Sequence, residues 1–272
     1  MDLNEIRNRL NAMQSKAAPK NTERKNVFWK PSVGKQVVRV VPSAANKSNP
    51  FTEMFFYYGI GNKVMASPTN WGEKDPIAEF AKQLRQSSDK DNWRLAKKLD
   101  AKLRIFAPVI VRGEENEGVK LWQFGKELYM EFLNLADNED VGDFTDPVSG
   151  RDITITTVGP EVTGTAYNKS TIMPKIKESA LSEDASEVAS WLETQPNPLE
   201  VFKRYSFDEI KNALQEWLAP DEAEEGDIID DEKEEEVIAT PQKNYTLKTP
   251  APAKTSKADQ FDSLFGDDDL PF

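Results

Sequence analysis

The sequence predicts an α+β, mostly β fold, with a strand-rich core and inserted helices, a helical arm before the core and a disordered acidic tail after it. Segments rich in β-branched and aromatic residues recur between residues 27 and 158 and are separated by Gly and Pro. Stretches of helical periodicity interrupt them. The 272 residues are enough for one sizeable core domain with appendages. We therefore divide the chain into an arm with a linker (1–26), a core (27–220) and a tail (221–272).

The arm is the first predicted element. Residues 3–16 have the spacing of an amphipathic helix, with Leu3, Ile6 and Leu10 on its apolar face and Arg7 and Arg9 off it. The ten residues that follow have no apolar periodicity and are interpreted as a linker. The helix should therefore stand apart from the core.

The core is predicted to begin with strands and to continue with two helices. The first strands are predicted at residues 27–29, 36–41 and 51–60. Asp75 and Pro76 supply a cap and a first-turn proline for one helix, and Ser88 or Asp89 opens the next. We expect Trp93 on the inner face of that second helix. Further elements are predicted as a strand at 152–158 and as helices near 126–136, 185–194 and 207–218.

Two predicted strands, at residues 102–112 and 119–124, have the pattern most suggestive of function. One face of each is apolar, whereas the other includes basic and aromatic side chains, namely Lys102, Arg104, Phe106, Arg112, Lys120 and Trp122. Single-stranded nucleic acid is bound by a cationic groove along the phosphates and by aromatic rings that stack on the bases. The pattern predicts Phe106 and Trp122 as stacking platforms. The alternative is that the following helix covers both rings, and alternation alone does not decide between the two.

Charge is distributed unevenly along the chain. The total is 35 Lys+Arg against 47 Asp+Glu, a net of −12. Residues 1–135 contain 23 basic and 15 acidic residues (net +8), and residues 136–272 contain 12 and 32 (net −20). Such opposite signs suggest a body that binds a polyanion and a tail of the same sign as that ligand.

The tail has three parts. Residues 221–236 hold eleven acids and one base, which predicts disorder, and residues 240–258 form a flexible tether with four lysines. The chain then ends in an acidic run and an apolar tip, Asp267, Asp268, Asp269, Leu270, Pro271 and Phe272. An aromatic end can fill an apolar pocket while its carboxylate meets a base, so we expect the tip to bind a partner protein. The alternative is an acidic end that only aids solubility.

Composition excludes several classes of function. The chain has no Cys and no His, so it lacks disulfides, thiol nucleophiles, imidazole bases and the usual zinc ligands. The acid clusters are interpreted as solvated charge rather than as a metal site, because the densest ones lie in the tail. We therefore expect no cofactor and no enzyme activity. Short apolar runs and the absence of a signal-peptide pattern predict a soluble intracellular protein without a membrane partner.

Four segments resemble the helix-destabilising single-stranded DNA-binding protein of T-even-like tailed phages, the gene 32 product family. They read QVVRVVP at 36–42, IFAPVIV at 105–111, ENEG at 115–118 and WQFGK at 122–126. The resemblance implies an OB-fold core, cooperative binding through the arm and recruitment of replication proteins by the tail. It also implies DNA-facing positions for Phe106, Trp122 and Tyr167 and a basic cleft with Arg39, Arg104, Arg112 and Lys120. Lys102 and Lys126 complete the predicted DNA-binding set.

The chain departs from this family at two places. The family's zinc-bearing loop resembles residues 69–78, but its ligand positions read Asn70, Asp75 and Ala78. We therefore expect a zinc-less variant whose loop is held by packing. The family's compact basic-and-hydroxyl motif near the N-terminus is also absent. Separately, the tail tip is similar to that of bacterial single-stranded DNA-binding proteins.

The sequence thus favours a non-enzymatic protein that coats single-stranded DNA cooperatively in phage DNA replication, recombination and repair, within the host cytoplasm. Self-association is assigned to the arm residues Leu3, Ile6, Arg7, Arg9 and Leu10. Two other functions stay open. One is a single-strand nuclease that uses carboxylate-bound metal, and the other is an adaptor of the replication machinery that does not bind DNA.

Overall fold

The computed structural model describes residues 27–46, 48–60 and 63–218. The predicted arm and tail, with their self-association and partner-binding residues, lie outside these ranges. The described residues divide into two compact units. Unit 1 comprises residues 27–54 and 103–203, and unit 2 comprises residues 55–102 and 204–218.

The described residues form a mixed α/β structure. Its strands are β1 (Phe28–Trp29), β2 (Gly34–Val40), β3 (Thr52–Ile60), β4 (Lys63–Ala66), β5 (Lys102–Val111), β6 (Lys120–Phe124), β7 (Ile153–Val158) and β8 (Lys169–Pro174). Its helices are α1 (Pro76–Gln86), α2 (Lys90–Lys98), α3 (Lys126–Ala136), α4 (Pro160–Thr163), α5 (Ala185–Glu193), α6 (Pro198–Val201) and α7 (Phe207–Leu218). No helix in the described ranges is long and apolar enough to cross a bilayer.

Unit 1 is built on a mixed sheet with the strand order β1-β6-β5-β2-β7-β8. β1 runs parallel to β6, and the remaining neighbours in this order are antiparallel. This arrangement is consistent with an OB-like core. The predicted strands over β2, β5, β6 and β7 are confirmed, whereas β8 was not predicted.

Side chains from both faces of the unit 1 sheet are buried. Val38, Ile105, Trp122 and Phe132 belong to a large apolar cluster, in which α3 packs on the sheet. A second cluster joins Ile110 and Val41 with Trp191 of α5. Every residue of β5 from Ile105 to Val111 is buried, so both faces of this part of the strand are covered.

Unit 2 combines the β3–β4 hairpin with α1, α2 and α7. Asp75 caps α1 and Asp89 caps α2, which confirms both predicted helix starts. The unit's apolar cluster includes Tyr57 of the hairpin, Phe80 of α1 and Leu95 of α2. Trp93 was expected inside but is 55% exposed, because Leu95, Ala96 and Leu99 form the buried side of α2.

Candidate nucleic-acid interface

The two predicted stacking platforms lie inside unit 1. Phe106 is 0% exposed and packs against Phe28 and Phe202, with ring centroids 6.2 and 5.2 Å away. Trp122 is 1% exposed, and its ring centroid lies 4.9 Å from that of Phe124. Neither ring has an open face on which a base could stack in this structure. The sequence did not decide whether these rings are covered, and the structure shows that they are.

Two of the predicted phosphate-binding arginines are engaged within unit 1. Arg39 is fully buried, and its Nε donates to Asp152 Oδ1 at 3.1 Å. Arg112 Nη2 donates to the same oxygen at 2.9 Å. The two guanidinium groups also donate to backbone carbonyls of Ser179 and Leu181. Burial lowers the pKa of Arg39, although the charge of Asp152 opposes this shift. Both arginines thus fasten the segment 179–181 to the sheet.

The other predicted DNA-binding residues differ in their exposure. Lys120 is buried and pairs with Glu117 at 3.1 Å. Lys102 and Arg104 are half-buried, and Lys126 is exposed at the start of α3. Tyr167 is 46% exposed, two residues before Lys169 at the start of β8. The DNA-binding roles predicted for these residues stay predictions.

Unit 2 combines an open aromatic ring with basic side chains on α2. Lys90, Trp93 and Lys97 are spaced i, i+3 and i+7 and therefore share one helix face, and all three are exposed. Arg94 and Lys98 are also exposed on this helix. We call these five residues the α2 surface. Asp91 is the one acid within this helix, and its 3.3 Å pair with Arg94 is solvent-exposed. The helix therefore offers a large open indole among four cationic side chains.

Sequence reasoning missed this surface although a signal for it was present. Trp93 and Leu95 are two residues apart and therefore point to nearly opposite sides of a helix, so they cannot both face inward. Leu95 and Leu99 are four residues apart and lie on one side together with Ala96, whereas Trp93 aligns with lysines. A tryptophan aligned at helical spacing with lysines is a sign of an exposed aromatic.

The β3–β4 hairpin of unit 2 also exposes aromatic side chains. Phe55 is 39% exposed and Tyr58 40% exposed, and Lys63 of β4 is exposed in the same hairpin. An open cavity of about 200 Å³ is lined by Phe55, Arg85 and Asp100, among other residues of this unit. In the described part of unit 2, Phe55, Tyr58 and Trp93 are therefore the large aromatic side chains with the most solvent exposure.

The loop where the resemblance implies zinc does not fit that ion. Asn70 has both ends of its amide bonded to the backbone of Phe55, at 2.8 and 3.0 Å. The Asp75 carboxylate accepts four hydrogen bonds from its own surroundings. Ala78 has no ligand atom, and zinc sites in proteins are built mainly from Cys and His. Among the residues described, no group of three or more Asp and Glu could hold a metal ion.

Comparison with known proteins identifies a family for this chain. No curated protein matches the chain. A family model described as "gp32 DNA binding protein like" matches residues 32–219, which is well over half of the sequence and includes nearly all of the described core. On that match, the chain belongs to the gp32 DNA-binding-protein-like family.

Proposed function

We propose that this protein binds single-stranded DNA without acting on it as an enzyme. Family membership supports single-stranded DNA binding in general. The single observation that supports a location for it is the α2 surface, where Trp93 is open to solvent between Lys90 and Lys97. Trp93 presents a large ring beside two lysines of the same helix face, and an indole between cations has the chemistry that a base and its phosphates require.

The mechanism follows from the two kinds of side chain on this surface. The indole of Trp93 would stack on one base, and each such stack contributes about 1–3 kcal/mol. The four cations of α2 would neutralise phosphates and release counterions, so that affinity falls as salt rises. Neither interaction reads the identity of a base, which suits a protein that covers strands of any sequence. Phe55 and Tyr58 supply further open rings in the same unit.

The finer parts of the proposal concern how the protein would act on long strands. The OB-like core would cover a short stretch of DNA while the arm contacts a neighbouring copy, and coating would favour single strands over duplex by mass action. The tail would recruit replication, recombination and repair proteins in the phage-infected host. Its acids would also compete with DNA for the basic surface, so removal of residues 221–272 should strengthen DNA binding.

The decisive experiment measures the anisotropy of a labelled oligo-dT during titration with the full-length protein at several salt concentrations. Trp93→Ala should weaken binding by about 5- to 150-fold, the equivalent of one lost stack. Trp93→Phe should recover much of this loss, because a ring remains. The matched control is Val148→Ala, which removes another highly exposed apolar side chain and should leave affinity unchanged. A wild-type protein that does not bind the oligonucleotide would refute the function, whereas an unaffected Trp93→Ala variant would refute only the location.

A further inference from the structure

One carboxylate connects three separate parts of unit 2. Asp75 is 3% exposed and lies immediately before α1. Its Oδ2 accepts from the Tyr57 hydroxyl of β3 at 2.8 Å and from the Ser67 hydroxyl beyond β4. Its Oδ1 accepts from the backbone N–H groups of Ile77 and Ala78, at 2.9 and 3.2 Å. We call these five residues the Asp75 network.

The four partners of Asp75 come from three local elements. Tyr57 is buried in the hairpin, Ser67 caps the short 3₁₀ helix Pro68–Trp71, and Ile77 and Ala78 belong to the first turn of α1. A buried carboxylate is costly unless its lone pairs are used, and here two hydroxyls and two amides use them. The same oxygens that would have to bind a cation are therefore already occupied by the protein.

We propose that Asp75 is the anchor of the segment 67–78, and that it joins β3, the 3₁₀ turn and α1 without any metal ion. This inference goes beyond the proposed function, because it concerns how unit 2 is held together and needs no DNA. It adds a polar network to the packing that the sequence predicts for this loop. Ile77 and Phe80 are fully buried in one apolar cluster with Tyr57 of the hairpin, and the polar network joins the same elements.

An Asp-to-Asn exchange separates an anchor from a simple helix cap. Asn caps helices as well as Asp does, because its carbonyl oxygen still accepts from the first-turn amides. Its NH₂ group, however, cannot accept from the hydroxyls of Tyr57 and Ser67. The matched control is Asp89→Asn, since Asp89 also caps a helix in this unit but lies exposed and accepts from Asp91 N–H at 2.9 Å.

The experiment is thermal unfolding of the full-length protein and its variants, followed by circular dichroism. Asp75→Asn should lower the melting temperature by about 4 °C or more, whereas Asp89→Asn should leave it nearly unchanged. Tyr57→Phe should lower it in the wild-type background and have little effect in the Asp75→Asn background, because the bond it removes is already lost. Equal effects of the two Asp-to-Asn exchanges, or additive effects of Tyr57→Phe, would overturn the anchor.

A separate experiment tests whether unit 2 is held together without a metal ion. Incubation of wild-type protein with EDTA should not change the melting temperature, addition of ZnCl₂ should not raise it, and elemental analysis should find no stoichiometric zinc. A lower melting temperature after chelation, or zinc that co-purifies at one ion per chain, would show that a metal holds the unit instead.

Discussion

Arg39 and Asp152 form an ion pair of 3.1 Å in which the arginine side chain is fully buried and the aspartate is 12% exposed. Asp152 Oδ1 also pairs with Arg112 Nη2 at 2.9 Å, and Asp152 Oδ2 lies 3.9 Å from Lys175 Nζ. One carboxylate therefore compensates the charge of several cations. Removal of Asp152 leaves these cations without this counter-charge, whereas removal of Arg39 leaves Asp152 paired with Arg112.

Asp152→Asn should destabilise the fold more than Arg39→Met. The first exchange leaves a buried guanidinium without its counter-charge, which typically costs about 3–5 kcal/mol. The second leaves Asp152 with Arg112, so the loss should be smaller and should come mainly from the released segment 179–181. Urea unfolding measures both values. Asp91→Asn, which breaks an exposed pair, should cost about 1 kcal/mol or less. The opposite order of Asp152→Asn and Arg39→Met would show that the shared carboxylate is not what matters.

Trp122→Ala should lower the stability of the protein, whereas Trp93→Ala should weaken its binding to DNA. Trp122 is enclosed by the core of unit 1, and removal of such a ring typically costs about 3–5 kcal/mol of stability. Trp93 is mostly exposed, so its loss should leave stability nearly unchanged and weaken DNA binding. Denaturant unfolding and oligo-dT anisotropy, measured on the same two samples, test this. Trp122→Ala protein that remains as stable as wild type but binds DNA poorly would restore Trp122 as a stacking platform.

The sequence predicted local features of the fold well because their causes lie within a few residues. The start of α1 follows from Asp75 and Pro76, and the β5 and β6 strands follow from their alternation. It failed where the deciding partner is distant. Asp152 lies 113 residues from Arg39 and 40 from Arg112, so nothing near either arginine distinguishes a structural role from phosphate binding.

The burial of both faces of β5 is indicated by a feature of the sequence other than its alternation. Residues 105–111 are almost continuously apolar, which is typical of a strand covered on both sides. The strand β8, in contrast, was not predicted. Its residues alternate between exposed and half-buried, and none is fully buried, so its sequence has too little apolar contrast to predict a strand.

Removal of two lysines of the α2 surface should change the salt dependence of DNA binding. Lys90 and Lys97 lie on the same face as Trp93, and each phosphate contact with a single strand contributes about 0.7 to the slope of log affinity against log salt. Lys90→Gln combined with Lys97→Gln should therefore reduce that slope by up to about 1.4. The control with the same charge change is Lys82→Gln combined with Lys177→Gln, two exposed lysines elsewhere. Equal reductions in both double variants would indicate diffuse attraction rather than contact at α2.

Tyr57 should make the protein sensitive to alkaline conditions. Burial raises the pKa of Tyr57, and the negative charges of Asp75 and, more weakly, Asp100 raise it further, while its contact with Ser67 opposes the shift. The folded state therefore keeps the phenol proton at a pH where the unfolded chain has lost it. This stabilisation is fully present below the unfolded pKa of about 10 and declines by about 1.4 kcal/mol per pH unit above it.

Tyr57→Phe should remove that decline. The variant should be less stable than wild type at pH 8, because it loses the hydrogen bond to Asp75, and the difference between the two proteins should shrink as the pH rises beyond 10. Urea unfolding of both proteins across this range measures it, and taking the difference cancels the titration of lysines common to both. Tyr58→Phe is the matched control, since Tyr58 is the exposed neighbour in the same strand. A constant difference between wild type and Tyr57→Phe at all pH values would show that Tyr57 does not titrate on unfolding in this way.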